Sequence, residues 1–297
     1  MQLDSLFSKT VKSLSIAVAL AALPLLANAD QLADVKKAGE LVVGTELQFA
    51  PFDFTENGKQ KGLNAELFEQ LGKELGVKIK FIDLPWPSVL PGLEAKKFDM
   101  VAGPIIETKA RQERYHFVLP IAEATVALMV GAKDDSIKKP EDISGKTVGA
   151  GKGSAQLEEL KAFAATLPEK VTIREYVDNN QAYADLAAKR IVAVANSLPN
   201  ISYVAAERSN LYKVILPPFG KKSYFAYLGR KDAESQSLIA ALDAAILKMH
   251  ADGRLAAEHH RAVRIHRPGH RVEGAAGGQL AERVVGPRPD VAEDRRV

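Results

Sequence analysis

The chain has no cysteine in its 297 residues. No disulfide can brace it, so a hydrophobic core has to hold it together, and no thiol is available to carry a lipid anchor. Long apolar runs are missing too. The best candidate, LSIAVALAALPLLA at residues 14–27, falls short of the roughly 20 residues that a helical membrane span needs. Aromatic residues make up 6% and charged residues 26%, which fits a soluble globular protein of one large or two ordinary domains. Histidine is scarce where it could matter: outside the last 39 residues only His116 and His250 remain. Neither has a ligand partner nearby in sequence and no Ser-His-Asp order is readable, so metal or nucleophilic catalysis finds little support.

The two ends differ from the middle. Lys9 and Lys12 precede the apolar run, and Ala27, Asn28 and Ala29 form a small-x-small site. This is the pattern of a cleavable secretory signal over residues 1–29. A mature chain starting near Asp30 and working in a periplasm is expected. From His259 to Val297 the sequence has eight arginines and no lysine, whereas the rest has 25 lysines and seven arginines. A nucleic-acid arm or a histidine-rich metal site is one way to read it; a disordered tail or an out-of-frame reading is the plainer one. The overall charge of +3 comes from these ends, so it says nothing about partners of the folded part, and no nucleic acid is expected there.

Between the ends, strands and helices alternate. ELVVG (40–44) reads as a buried strand, followed by a loop with a turn at Asn57-Gly58. A helix follows, with Leu67, Leu71 and Leu75 on one face and closed by Gly76. KIKFIDL, FDMVAGPII and ATVALMVGA read as further strands, with SVLPGLEAKK and TKARQER as helices between them. The pattern restarts near residue 132: TVGAGKGSAQLEEL repeats the strand, glycine-rich loop and helix order of LVVGTE and its sequel. An α/β protein of two lobes is therefore expected, each a mostly parallel sheet flanked by helices. The expected lobes are 30–130 plus 223–258, and 131–222. Ligands of such sheets sit beyond the carboxyl ends of the strands, where helices begin and favour anions.

One cation stands out. Thr108 can cap a helix, which puts Arg111 in its first turn, where a positive charge opposes the helix dipole. Either it is a surface arginine solvated by water, or its fork of donors grips a carboxylate in the cleft. Phe49 and Trp86 follow strands and could wall a ligand, whereas Phe52 suits the core. Gly151–Ser154, GKGS, lacks phosphate-loop spacing but can offer N–H groups to a small anion. Glu46, Glu107 and Glu123 are acids near strand ends, for which solvation is the default.

Taken together, LVVGTELQFAPFDF, GLNAELFEQLGKELG, LPWPSVLPGLEAKKFDM, TKARQERYHF and DISGKTVGAGKGS resemble the family 3 solute-binding proteins of amino-acid ABC importers. The resemblance runs in order from about residue 40 to 254. It implies a type II periplasmic binding fold that closes on its ligand by a hinge, with no cofactor, catalytic residue or metal. It implies that Arg111 holds the ligand carboxylate, Phe49 stacks on the ligand, Trp86 lines the site, and Gly153 and Ser154 donate to the carboxylate. Gly103 and Ile106, on the strand leading to Arg111, complete the lining. Three positions depart from the family pattern. Ile106 replaces a hydroxyl residue, GLN replaces GFD at 62–64, and Ser197 replaces the aspartate that binds the ligand ammonium. Glu46 or Glu123 could stand in for that acid. The resemblance also implies a monomer that delivers a small carboxylate, an amino acid or relative, to a membrane permease and its ATPase. The alternative is a lyase like the cyclohexadienyl dehydratases, with Glu46, Glu107 or Glu123 as cleft acid; a receptor-kinase sensor module is a third.

Overall fold

The computed structural model describes residues 30–255. The expected signal peptide and arginine-rich tail lie outside the described residues. The first part of the chain runs α1 (Gln31–Ala38), β1 (Glu40–Thr45), β2 (Gln48–Phe49), β3 (Asp53–Glu56), β4 (Lys59–Lys61), α2 (Leu63–Leu75), β5 (Lys78–Asp83), α3 (Trp86–Glu94), β6 (Met100–Ile106), α4 (Lys109–Arg114), β7 (Tyr115–Phe117) and β8 (Ala122–Glu123). It continues with β9 (Val126–Gly131), a 3-10 turn at Pro140–Ile143, β10 (Thr147–Gly151), α5 (Ala155–Ala164), β11 (Thr172–Tyr176), α6 (Asn179–Ala187) and β12 (Ala193–Ser197). The last elements are α7 (Leu198–Glu207), β13 (Tyr212–Ile215), β14 (Tyr224–Arg230) and α8 (Gln236–Ala251).

Two mixed sheets result. The first has the order β5-β1-β6-β14-β7, with β8 also on β14; the second has the order β11-β10-β12-β9-β13. In each, three strands joined by crossover helices run parallel. The antiparallel members, β14 in the first sheet and β9 in the second, arrive from the other sheet without a crossover helix, whereas β13 follows β12 of its own sheet through α7. Strand β6 is buried along its whole length, which is why MVAGPII reads as an unbroken apolar run rather than an alternating one.

Two features differ from the sequence expectation. Val126–Gly131, placed with the first lobe, pairs with β12 and β13 in the second sheet; an apolar strand does not carry its partner's identity in its own residues. The loop 45–62 holds a small antiparallel sheet, β2-β3-β4. Its β3–β4 hairpin turns at Asn57 and Gly58, with φ of 51° and 72°, as a two-residue turn requires. The strands are too short and too polar to show a period. The chain crosses between the sheets twice, side by side: Ala124 N–H donates to the Ser223 carbonyl (2.8 Å) and Gly220 N–H to the Val126 carbonyl (3.1 Å).

The turn into α2 depends on a glycine. Gly62 has φ of 116°, and a Cβ there would lie 2.2 Å from the Phe52 carbonyl oxygen. Gly62→Ala is expected to cost about 3 kcal/mol or more, strain and clash together. Gly76→Ala, also at positive φ but with open space around it, is expected to cost only about 1 kcal/mol. Urea denaturation of the two variants checks the ordering.

Candidate functional site

Beyond the carboxyl ends of the parallel strands a cleft separates the two sheets, about 640 Å³ with its open mouth included. Its first-lobe wall is made by Glu46, Phe49, Trp86, Gly103, Ile106 and Arg111, with Val89, Pro104 and Phe225 behind them. The second-lobe wall is made by Gly151, Ser154, Gln156, Tyr176, Val177, Asn179 and Asn196. Of the residues singled out from sequence, Glu46, Phe49, Trp86, Gly103, Ile106, Arg111 and Ser154 share one cleft, and Glu107, Glu123, Gly153 and Ser197 are not in its lining.

Arg111 is held by its own neighbourhood. Thr108 caps α4, its hydroxyl accepting the Arg111 N–H at 3.2 Å. One guanidinium nitrogen, Nη1, donates to the Ile106 carbonyl at 3.0 Å, and the guanidinium carbon lies 5.5 Å from the centre of the Trp86 ring, a cation–π distance. No acid among the described residues compensates it, and burial lowers its pKa to about 10. The guanidinium lines the cleft. A half-buried cation with no opposite charge beside it favours an incoming anion.

Glu46 is the complementary group. It is 9% exposed, and burial raises its pKa to about 8, with the Trp86 backbone N–H opposing the rise and Asp178 and Asp53 adding to it. At neutral pH it carries its proton. Behind it, Asp53 is fully buried and its pKa is raised to about 7, again by burial, against hydrogen bonds from Asn64 and Gln60. The Asn64 side chain donates to Asp53 and accepts the Tyr227 hydroxyl at 2.7 Å. This accounts for asparagine in GLN: a second carboxylate at 64 would confront Asp53 in a dry interior, whereas an amide satisfies both neighbours.

The other expected residues take different places. Ser154 lines the cleft, but its hydroxyl caps α5 by accepting the Leu157 N–H and donates its own proton to the Gly151 carbonyl at 2.7 Å. It has no proton left for a ligand. Gly153 is outside the lining. Ser197 has no exposed surface, and its hydroxyl has no hydrogen-bond partner among the described residues. The position expected to meet an ammonium is therefore sealed under α7. Glu123 accepts the Thr125 hydroxyl at 2.7 Å, and neither it nor Glu107 lines the cleft. Ile106 offers an apolar side chain and its backbone carbonyl.

Sequence reasoning missed Gln156, Tyr176, Asn179 and Asn196. Asn196 was within reach: in β12, successive side chains point to opposite faces, so if Ser197 turns inward Asn196 faces the cleft. Phe49 has a double role, lining the cleft while packing on Phe52 and Phe225 at ring distances of 6.0 and 5.8 Å. Among the described residues no group of three histidines or acids could hold a metal ion, and no helix is long and apolar enough to cross a membrane.

Residues 41–262 match the model of the bacterial extracellular solute-binding proteins, family 3. The L-cystine-binding protein TcyJ of Escherichia coli strain K12 is 31% identical over 226 residues, 75% of this chain and 82% of TcyJ. The crystal structure of the ancestral amino acid-binding protein AncCDT-1, a precursor of cyclohexadienyl dehydratase, superposes with a TM-score of 0.71 at 27% identity. It covers 80% of this chain and 100% of that one. An amino acid ABC transporter substrate-binding protein from Streptococcus pneumoniae, AbpA bound to L-arginine, superposes with a TM-score of 0.71 at 25% identity, covering 79% and 98%. The chain belongs to the family 3 bacterial extracellular solute-binding proteins, with their two-lobed α/β fold.

The two raised acids set a pH dependence. Between their ordinary values near 4 and their folded values of about 8 and 7, the folded protein holds protons that the unfolded chain has lost. Stability of the ligand-free protein therefore falls as pH rises from about 5 to 8. Glu46→Gln removes one of the two groups. Its melting temperature is expected to exceed that of the wild type at pH 8, and the gap to shrink toward pH 5. Thermal melts at three pH values check this; a gap independent of pH would show that Glu46 is ionised in the cleft throughout.

Proposed function

We propose that this chain is the solute-binding component of an ABC importer and that its ligand is an amino acid, held by Arg111 at the carboxylate and by Glu46 at a cationic nitrogen. One observation carries this reading. A half-buried guanidinium and a buried carboxylic acid line the same cleft, both in contact with Trp86, and neither is paired with an opposite charge among the described residues. A zwitterion is the small molecule complementary to both. Binding gives Arg111 its anion and turns Glu46 from a protonated acid into a paired carboxylate, so the proton leaves as the ligand's ammonium arrives. Phe49 and Trp86 supply the walls that exclude water.

The relatives support the wider role, since TcyJ is a cystine-binding protein and AbpA is bound to L-arginine. The partner is a membrane permease with its ATPase, and the place of work is the periplasm, reached by cleavage before Asp30. The first lobe comprises residues 30–124 and 223–255 and the second 125–222, as the sheet pairings suggest. In this reading the protein works as a monomer.

A second reading has one observation in its favour. Glu46, with its pKa raised to about 8, lines the same cleft as Arg111, and a lyase that releases carbon dioxide from a cyclohexadienyl acid while its hydroxyl leaves as water needs such a proton donor. Incubating the purified protein with prephenate or arogenate, and following the aromatic product by absorbance, decides it. No product above a Glu46→Gln control leaves the binding reading alone.

For the binding reading, the mature chain is melted with each common L-amino acid and L-cystine, each beside its amine-free counterpart. A ligand present at about 1,000 times its dissociation constant stabilises by roughly 4 kcal/mol. Stabilisation is expected with an amino acid and not with its amine-free acid. Arg111→Ala should weaken it about 100-fold or more, the loss of a charge-assisted bidentate contact. Equal stabilisation by the amine-free acids would sink the role given to Glu46.

A further inference from the structure

A chain of neutral side chains runs from the cleft wall to the opposite lobe. Gln156 Nε2 donates to Asn196 Oδ1 at 3.2 Å. Asn196 Nδ2 donates to the Tyr183 hydroxyl at 3.0 Å. That hydroxyl donates to Asn200 Oδ1 at 2.6 Å, and Asn200 Nδ2 donates to the backbone carbonyl of Ala50. Gln156 and Asn196 line the cleft; all four side chains are at most 7% exposed. Asn200 stands in the first turn of α7, in the second lobe, whereas Ala50 follows Phe49 in the first.

Donation runs in one direction throughout. Tyr183 has a single hydroxyl proton and gives it to Asn200, so its oxygen must accept from Asn196. Asn196 Oδ1 is occupied by Gln156 and by the Ser197 N–H at 2.8 Å. No member can reverse without stranding a buried donor or acceptor, which costs more than a surface bond is worth. Aligned bonds polarise one another in a low-dielectric interior, so what happens at the Gln156 end is felt at the Ala50 end.

We propose that the series Gln156–Asn196–Tyr183–Asn200 is a closure latch: it fastens the second lobe to the loop that carries Phe49 and makes that fastening depend on the cleft wall. A donor in the cleft, such as a ligand ammonium at the Gln156 amide oxygen, strengthens the Asn200 bond to Ala50, whereas an acceptor competing for the Gln156 N–H weakens it; opening the cleft breaks it. Asn200 and Tyr183 are positioning residues. The identity of the donor rests on the amino-acid reading above, and the latch itself does not.

The absence of cysteine makes the test direct. Two exposed positions, Lys73→Cys in the first lobe and Ala188→Cys in the second, carry a donor and an acceptor dye. Single-molecule energy transfer then gives the closed fraction of the ligand-free protein. Asn200→Ala and Tyr183→Phe are each expected to lower the closed-to-open ratio by about 3–10-fold, the worth of one net hydrogen bond. Gln156→Ala should lower it as well, although Gln156 does not touch the first-lobe loop. The double variant Gln156→Ala/Asn200→Ala should open no further than Asn200→Ala alone. An unchanged ratio in Asn200→Ala and Tyr183→Phe overturns the latch, and strictly additive effects of Gln156 and Asn200 overturn its dependence on the cleft wall. Thermal melts of the same variants report any general loss of folding. Failure of L-cystine, L-arginine and the other L-amino acids to stabilise the wild type would count against the binding reading and would leave the closed-fraction result to stand on its own.

Discussion

A guanidinium without a counter-ion organises this cleft. Arg111 is fixed from three sides, by the Thr108 cap, the Ile106 carbonyl and the Trp86 ring. None of the three neutralises it. Its charge is partly withdrawn from water, so the site is stable only to the extent that the fold over-determines the side chain. That is the arrangement expected of a group whose partner comes from outside. Strand β6, buried along its length, provides the rigid base from which α4 starts, and the β6 backbone supplies one of the three restraints.

In the proposed reading the acid that meets the ligand ammonium belongs to the first lobe. At the end of β12, where the resemblance expects an aspartate, the chain has a sealed serine beside an amide that is fully committed to its neighbours. The second lobe therefore brings no charge of its own to the cleft lining; the acid lining it is Glu46, at the end of β1 in the first lobe. Glu46 follows β1 and Arg111 follows β6, both strands of the first sheet, so in the proposed reading a zwitterion would meet the first lobe before the second arrives.

Much of this was legible in the residues. Alternating strand and helix patterns gave the layers, a threonine cap put Arg111 in α4, and the resemblance pointed it at the cleft that it lines. Phe49, Trp86, Gly103 and Ile106 also reached it, because each follows or lies within a strand whose end the topology fixes. What stayed hidden depended on partners distant in sequence. An apolar segment such as Val126–Gly131 does not state which sheet it joins. The hydroxyl of Ser154 was free in the sequence and spent in the structure, since capping and a local carbonyl claim both of its bonds. The weight placed on Ser197 missed by one residue, and in a strand one residue is the opposite face. The long links through Tyr183 and Asn200 leave no local trace at all.

The neutrality of the second-lobe wall has a mechanical consequence. Closing a cleft withdraws its lining from water, and for a charge that withdrawal costs several kcal/mol unless a partner is already in place. Amides, a tyrosine hydroxyl and a protonated Glu46 carry a far smaller penalty than ions would. The lobes can then meet and part without stranding an ion pair, and the latch at Ala50 can form and break with ordinary hydrogen-bond energies. Arg111 is the exception, and it sits on the lobe that would bind first. In the proposed reading the ligand's carboxylate would remove the one large desolvation cost before closure begins, which would link occupancy and closure through electrostatics.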